Sequence, residues 1–482
     1  MTTIDRRGFL GRSFLVAGAA AMASPLAQAL NLRAAAAGGS TGLESGGRRP
    51  GSGNGYGPLV PKRPVAAGPG ADPDAEWIAL PEAFEYVIFG VSGSTMSDGN
   101  VTPYAHDGMG AFPGPDGSVR LVRNHEVRDP AGMAPPPSPL NVYDPMAGGG
   151  NTTVEIAVNG QGVPTPVRDF VSLSGTAVNC AGGVTPWGTW MSAEETTVGA
   201  ADGFGAEHGY VFDIAAGADE PVTPVPLTGL GRFAHEATCV DPKTGVVYET
   251  EDDGDSGFFR FVPNRAGDMS AGRLQMAKVK GATNYDTRTG QQGLRGPLHI
   301  EWVDIDDPDP ATGDSKAVYN EGFAKGGAIF RRLEGCWFDF GAVYFNATDG
   351  GDAGEGQVWE YKPTGRHFGH LRLVYESPGS DVLSFPDNIT TTPRGGFLLC
   401  EDTSRTPIAL PFAEQYLKGL TRGGEIFDFA LNLVDNREWA GACWSPDGQY
   451  LFVNTQGETR LTPDGQLGRT FAIWGPWAQG RL

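Results

Sequence analysis

The sequence has 482 residues, a formal net charge of −21, 72 glycines and 37 prolines. That length fits one large or two ordinary domains, and the excess of Gly and Pro favours many turns between short strands. The negative balance argues against nucleic acid or an anionic membrane surface as a partner.

The chain opens on Asp5-Arg6-Arg7-Gly8-Phe9-Leu10, an apolar run from Phe14 to Leu26, and Ala27-Gln28-Ala29 as a small-x-small cleavage site. The run is short and ends in a cleavage motif, so residues 1–29 read as a twin-arginine export signal rather than a spanning helix. The twin-arginine export machinery is therefore an expected partner, and the mature protein is expected to be secreted or extracytoplasmic. No later stretch is long and apolar enough to suggest a transmembrane segment. Residues 30–74 are rich in Gly, Ala and Pro with little to bury, and read as a linker. Residues 75–482 are expected to form a β-propeller domain, acting as a monomer.

One phrase then recurs six times: an acidic or polar residue, a short apolar strand with a Pro- and Gly-containing turn, and a second acidic or amide cluster. The copies are His106-Asp107…Asn124-His125-Glu126, Asn179-Cys180…Glu194-Glu195, His235-Glu236…Glu251-Asp252, Leu333-Glu334…Thr348-Asp349, Pro386-Asp387…Glu401-Asp402 and Trp439-Ala440…Asn454-Thr455-Gln456. Repeats at this range of spacing mark radial or stacked architectures. Downstream of each copy lies a further strand signal with period-two alternation, such as Gly209–Asp213, Gly257–Phe261, Gly356–Tyr361, Gly424–Phe429 and Arg469–Trp474. The first copy has the weaker partner Thr152–Val158. The expected fold is all-β, a six-bladed propeller. The extra text from Asn264 to Ala328 reads as a blade insertion, the stretch 413–420 as a short helix, and Trp77 to Phe89 as a strand that closes the ring on the last blade.

Aligning the copies on their turns gives an inner slot of Asp107, Cys180, Glu236, Glu334, Asp387 and Ala440. In a radial fold equivalent positions converge, and carboxylates converging on one axis cannot all stay ionised without cations. The second slot offers His125, Glu126, Glu194, Glu195, Glu251, Asp252, Asp349, Glu401 and Asp402. Neighbours on a strand point to opposite sides, so one member of each pair faces away. So many oxygen donors suit Ca²⁺, whereas a thiolate at Cys180 suits a softer metal such as iron or zinc. His125 and His235 are candidate nitrogen ligands or partners that orient a carboxylate. Cys239, Cys336, Cys400 and Cys443 sit in apolar strand text and read as buried small hydrophobes.

The run Asn179-Cys180-Ala181-Gly182-Gly183-Val184-Thr185-Pro186-Trp187-Gly188-Thr189-Trp190…Glu194-Glu195 resembles the core motif of the PhoX-type alkaline phosphatases. Arg232-Phe233-Ala234-His235-Glu236 and Arg332-Leu333-Glu334 resemble that family too, as does the export signal. The resemblance implies a six-bladed propeller with a calcium and iron (Ca²⁺, Fe³⁺) centre that hydrolyses phosphate monoesters. It implies Cys180, Glu236 and Glu334 as metal ligands, with Asp387 and Glu194 or Glu195, and Arg332 as a phosphate contact. Asp107, Glu126, Glu251, Asp252 and Glu401 complete the candidate ligand set. Where the family carries a second phosphate-binding arginine, this chain reads Thr348-Asp349-Gly350-Gly351-Asp352, and Arg405 is the candidate replacement. Two other readings stay open from the residues: a calcium propeller hydrolase of lactonase or phytase type, and a non-catalytic, calcium-stabilised binding propeller.

Overall fold

The computed structural model describes residues 55–289, 296–311, 314–403, 414–463 and 465–482. Almost all regular structure in them is β, arranged as successive antiparallel meanders. The innermost strands of the meanders are His106–Pro113, Asn179–Val184, His235–Val240, Leu333–Asp339, Pro386–Thr391 and Trp439–Trp444. Each of these six contacts the next, and the last contacts the first, so they close a ring. The hydrogen-bonded sheets nevertheless number five, because the strand Leu298–Asp304 pairs with both the third and the fourth meander and joins them into one nine-stranded sheet.

In five of the six blades the second strand is buried on both faces. Val119–His125, Val247–Glu251, Ala342–Ala347, Phe397–Glu401 and Leu451–Thr455 are buried along their whole length. Their polar residues, such as Arg123, Asn124, Glu249 and Asn346, are buried with the rest. The apolar core is divided accordingly, with one cluster at each of the six blade–blade junctions. At the junction of blades three and four, for example, Tyr248 and Phe258 pack on Phe345 and Tyr361.

The N-terminal strands divide between two blades. Glu85–Phe89 pairs with Arg469–Trp474 and closes the sixth blade as expected, but Ile78–Pro81 pairs with Ile426–Asn432 on the fifth. Leu59–Lys62 and Ala66–Ala67 add further edges, and the Tyr56 ring packs edge-on to Phe84 and Trp477. The stretch expected to be a linker is therefore structured from residue 55 onward. The earlier part of that stretch and the signal at 1–29 lie outside the described residues.

Two local expectations are corrected. The stretch read as a helix contains the strand Tyr416–Leu420, paired on both sides, because its neighbours Phe397–Glu401 and Ile426–Asn432 would otherwise keep unpaired edges. The insertion begins after Val279 rather than at Asn264, since Asp268–Val279 is the fourth strand of blade three; it carries the strand Leu298–Asp304 and the helix Ala317–Ala324. No helix among the described residues is long and apolar enough to cross a membrane.

Candidate metal centre

Each inner strand breaks register with its neighbour near its start. Two residues oppose one at Asp107-Gly108, Cys180-Ala181, Glu236-Ala237, Glu334-Gly335 and Asp387-Asn388, and one residue later, at Gly441-Ala442, in the sixth blade. Such bulges re-aim a side chain. The first bulge residue in five blades is the expected inner-slot residue. The second is Gly or Ala in four of these five, where the strands crowd at the axis: a Cβ on Gly335 would stand 2.6 Å from the Ile389 amide nitrogen, and one on Gly108 2.5 Å from the Ala181 Cα.

A second device repeats around the ring. The residue two before the slot offers its carbonyl to the amide of the second strand's axial residue. The pairs are Glu126 to Ala105 (2.8 Å), Glu195 to Val178 (2.8 Å), Asp252 to Ala234 (3.2 Å), Thr348 to Arg332 (2.9 Å), Asp402 to Phe385 (2.9 Å) and Gln456 to Glu438 (3.1 Å). Ala105, Val178, Arg332 and Phe385 hold left-handed backbone there, with φ of 56°, 52°, 44° and 49°. Non-glycine residues adopt that region at a cost, and it clusters at functional sites. Asparagines on the second strands then fix the slot carbonyls of the next blade: Asn124 Nδ2 donates to Cys180 O (2.9 Å), Asn346 Nδ2 to Asp387 O (2.7 Å) and Asn454 Nδ2 to Asp107 O (2.6 Å).

The side chains so placed form an arc of overlapping triads, each with its ligand atoms within 4.8 Å of one another: Asp107, Glu126 and Cys180; Cys180, Glu195 and Glu236; Glu236, Glu334 and Asp387; Asp387, Asp402 and Glu438. The cavity above them measures ≈160 Å³ and is also lined by Asp252, Gln456, Arg128, Arg332 and Arg437. Burial, then the neighbouring carboxylates, pushes Asp107, Glu236, Glu334 and Glu438 well above the ordinary carboxylate range. The same causes push the Cys180 thiol up. Both oxygens of Glu236 are buried without a hydrogen-bond partner, an arrangement costly for a protein group.

The arginines sit at the rim. Arg332 Nε and Nη2 donate to Asp252 (3.0 and 3.2 Å), and Nη2 also to Glu334 Oε1 (2.6 Å). Burial opposes its charge, but Glu334 and Asp252 outweigh burial and keep the guanidinium protonated. Arg128 bridges Glu126 and Glu195 across blades one and two. Arg437 donates through Nε to Gln466 Oε1 (2.7 Å) and pairs with Glu458.

Several sequence expectations are corrected here. Glu194 does not face the axis: its oxygens accept from the amides of Ala177 (2.8 Å) and Gly209 (2.8 Å) and from His208 Nδ1 (2.6 Å). Glu251 turns to the Gly257 amide (2.8 Å) and Lys316 Nζ (3.1 Å), and burial pushes it up to about 7. Glu401 turns to the amides of Ser384 (2.9 Å) and Tyr416 (3.2 Å). In each of these acidic pairs it is the second member that faces the axis, and its neighbour on the strand points the other way. In blade four the axial residue is Thr348, while Asp349 pairs with Arg331 (2.9 Å). His125 bonds Tyr104 O (3.0 Å) and Thr152 Oγ1 (2.8 Å); His235 bonds Gly231 O (3.1 Å) and stands 3.4 Å from Glu249, so neither histidine joins the arc. Arg405 lies outside the described residues. Glu438, Arg128 and Arg437 were missed because they lie outside the strands to which the repeat was aligned. The available signal was position: Glu438 precedes Ala440 by the two residues that separate Arg332 from Glu334.

A ring of bulged strands gathers carboxylates on one axis, with guanidinium groups at the rim, and the fold is a β-propeller. The sequence model of the family described as alkaline phosphatase PhoX matches residues 55–458, and the chain belongs to that family. It is accordingly a hydrolase of the alkaline phosphatase type. Its structure is similar to that of Pseudomonas fluorescens PhoX in complex with vanadate, a transition state analogue, with a TM-score of 0.62 and 17% identity over 84% of this chain and 97% of that one. A gluconolactonase of Xanthomonas campestris, XC5397, is more distant, at a TM-score of 0.42 and 11% identity over 87% of this chain and 98% of that one. No curated protein sequence matches the chain.

Proposed function

We propose that this chain is an exported, metal-dependent phosphomonoesterase whose axial arc holds calcium and iron. The observation that carries the reading is the arc itself: five bulge positions turn Asp107, Cys180, Glu236, Glu334 and Asp387 toward one axis, and the Glu236 oxygens there are buried without partners. The donor set fits. Carboxylates in this number suit calcium, and the Cys180 thiolate suits a softer ion such as iron. Glu126, Glu195, Asp252, Asp402 and Glu438 are the further donors.

When bound, the cations would reverse the sign of the site and polarise phosphoryl oxygens. The residues of the chain do the rest. Carboxylates alone would repel a phosphate dianion, so the arginines decide where it lands. Arg332, whose Nε and Nη2 are held by Asp252 and Glu334, would offer its Nη1 donors to an equatorial oxygen. Arg128, on the far side between blades one and two, supplies the second guanidinium expected of the family. The fixed bulges hold all donors in place before substrate arrives, so little reorganisation accompanies the development of charge.

Metal analysis of natively exported protein, paired with turnover of p-nitrophenyl phosphate, tests the reading. Stoichiometric iron and calcium with turnover lost to a chelator and restored by calcium is the expected result. Metal-free protein with undiminished turnover would overturn it. Export rests on Arg6-Arg7 and the run that follows; Arg6→Lys with Arg7→Lys should leave the protein in the cytoplasm, and normal secretion of that double variant would refute the route.

A further inference from the structure

A cavity of ≈860 Å³ lies at the other end of two inner strands, past Val240 and around Phe338, away from Glu236 and Glu334 at their starts. Tyr248, Arg260, Lys243, Arg366 and Asp241 also line it. The axial chemistry uses none of these residues.

Arg260 is the feature that asks for a ligand. Only 2% of it is exposed. Its Nε donates to Gln275 Oε1 (2.8 Å), and the Trp302 ring lies 4.3 Å from its central carbon. Gln275 in turn donates to Asp304 Oδ1 (2.6 Å), so the nearest linked carboxylate is one residue removed. Among the described residues no carboxylate forms an ion pair with Arg260. A buried cation without a counter-ion is costly, and such groups are paired as a rule. A guanidinium has five N–H donors, and Arg260 is part of the cavity lining.

The surroundings favour an anion. Lys243 and Arg366, both exposed, add positive charge at the mouth. The one acidic group of the lining, Asp241, already accepts from the Lys243 amide (2.9 Å) and the Thr244 hydroxyl (2.7 Å). The walls between Tyr248 and Phe338 are largely apolar. We propose that this cavity binds a small organic monoanion: a carboxylate received by the Arg260 fork, on an apolar body of about aromatic-ring size between Tyr248 and Phe338. A single buried cation matches one negative charge, and the planar fork matches a carboxylate.

Fluorine NMR titration of 4-fluorobenzoate into the metal-loaded protein tests this, with uncharged 4-fluorobenzamide as the comparison. Saturable binding of the benzoate at millimolar concentration or below is expected, with the benzamide about 10-fold weaker or worse, as loss of a charge-assisted bond implies. Arg260→Gln should abolish binding. Lys243→Gln, at an exposed position that leaves the fold and phosphatase turnover untouched, should weaken binding a few-fold and flatten its salt dependence. Equal affinity for the two probes, no saturation, or affinity unchanged in both variants would overturn the site. Displacement of the probe by equimolar inorganic phosphate would overturn the carboxylate assignment.

Discussion

Arg332 and Glu438 stand at the same position of two different blades, the carbonyl of each accepting the amide of the second strand's axial residue, Thr348 at 2.9 Å and Gln456 at 3.1 Å. One position thus supplies a cation to the rim in blade four and an anion to the arc in blade six, where Ala440 leaves the slot without a ligand. Arg332 also departs from simple strand geometry. Its alignment with Glu334 comes from left-handed backbone before the strand (φ 44°), not from two-residue periodicity within it.

Arg332→Lys keeps the charge but loses the fork. Turnover of p-nitrophenyl phosphate should fall by about 10-fold or more, since charge-assisted bonds are worth roughly 1.5–3 kcal/mol. Inhibition by inorganic phosphate should weaken in parallel, with metal content unchanged. Unaltered turnover and inhibition would remove Arg332 from the substrate site.

Glu236→Gln separates ligand from structural roles. Burial, then Glu334 and Asp387, raises the Glu236 carboxyl in the metal-free protein, and its oxygens have no partners. The amide removes that charge. Melting in chelator should be unchanged or higher, and melting in calcium lower. Loss of stability in both conditions would mark Glu236 as a purely structural group.

Cys180→Ser should lose iron and turnover while the propeller still folds, because an alcohol replaces a thiolate poorly on a softer metal. Elemental analysis and circular dichroism report the two halves separately. Wild-type iron in this variant would reduce Cys180 to one more buried cysteine.

Gly335→Ala addresses the crowding at the axis. The added Cβ would stand 2.6 Å from the Ile389 nitrogen and 2.8 Å from the Asn388 Cα, both backbone atoms of the next inner strand. Overpacking of this kind costs about 1–3 kcal/mol, and it pushes Glu334 away from Asp387. Melting temperature and calcium affinity should fall together, as thermal melts across a calcium series would reveal.

His208 gives a pH signature remote from the axis. Its Nδ1 bonds Glu194 (2.6 Å) and its Nε2 bonds Asp144 (3.2 Å). Burial pulls its affinity for a proton down, but Glu194 and Asp144 outweigh burial, and the net shift is upward. A raised folded value gives stability that is complete below the unfolded histidine range and is lost as pH rises through the folded value. The cost of His208→Gln should thus be greater at pH 6 than at pH 9. Denaturant midpoints that differ from wild type equally at both pH values would contradict this.

The slot was legible because an acid recurs four times at the start of an aligned short strand, at Asp107, Glu236, Glu334 and Asp387, and Cys180 carried a specific motif. The pairs Glu194-Glu195, Glu251-Asp252 and Glu401-Asp402 were not resolvable, since alternation says that one member faces inward but not which. The left-handed residues Ala105, Val178, Arg332 and Phe385 were invisible, because none of those side chains favours that conformation. The destination of Ile78–Pro81 was hidden as well. A short apolar strand pairs with whichever edge is open, and the fifth blade offered one.

The sixth blade takes its inner strands from Trp439–Trp444, Leu451–Thr455 and Arg469–Trp474, and its outer strand from Glu85–Phe89. That seam joins the two extremes of the described chain, so it cannot form until Arg469–Trp474 has been synthesised. Blades one to five can assemble before it and carry every residue of the arc except Glu438, but the closed ring exists only after the seam shuts. Long-range closure of this kind is slow. Any ion that needs the closed ring must therefore be acquired after that strand is made, in whichever compartment it meets Glu85–Phe89.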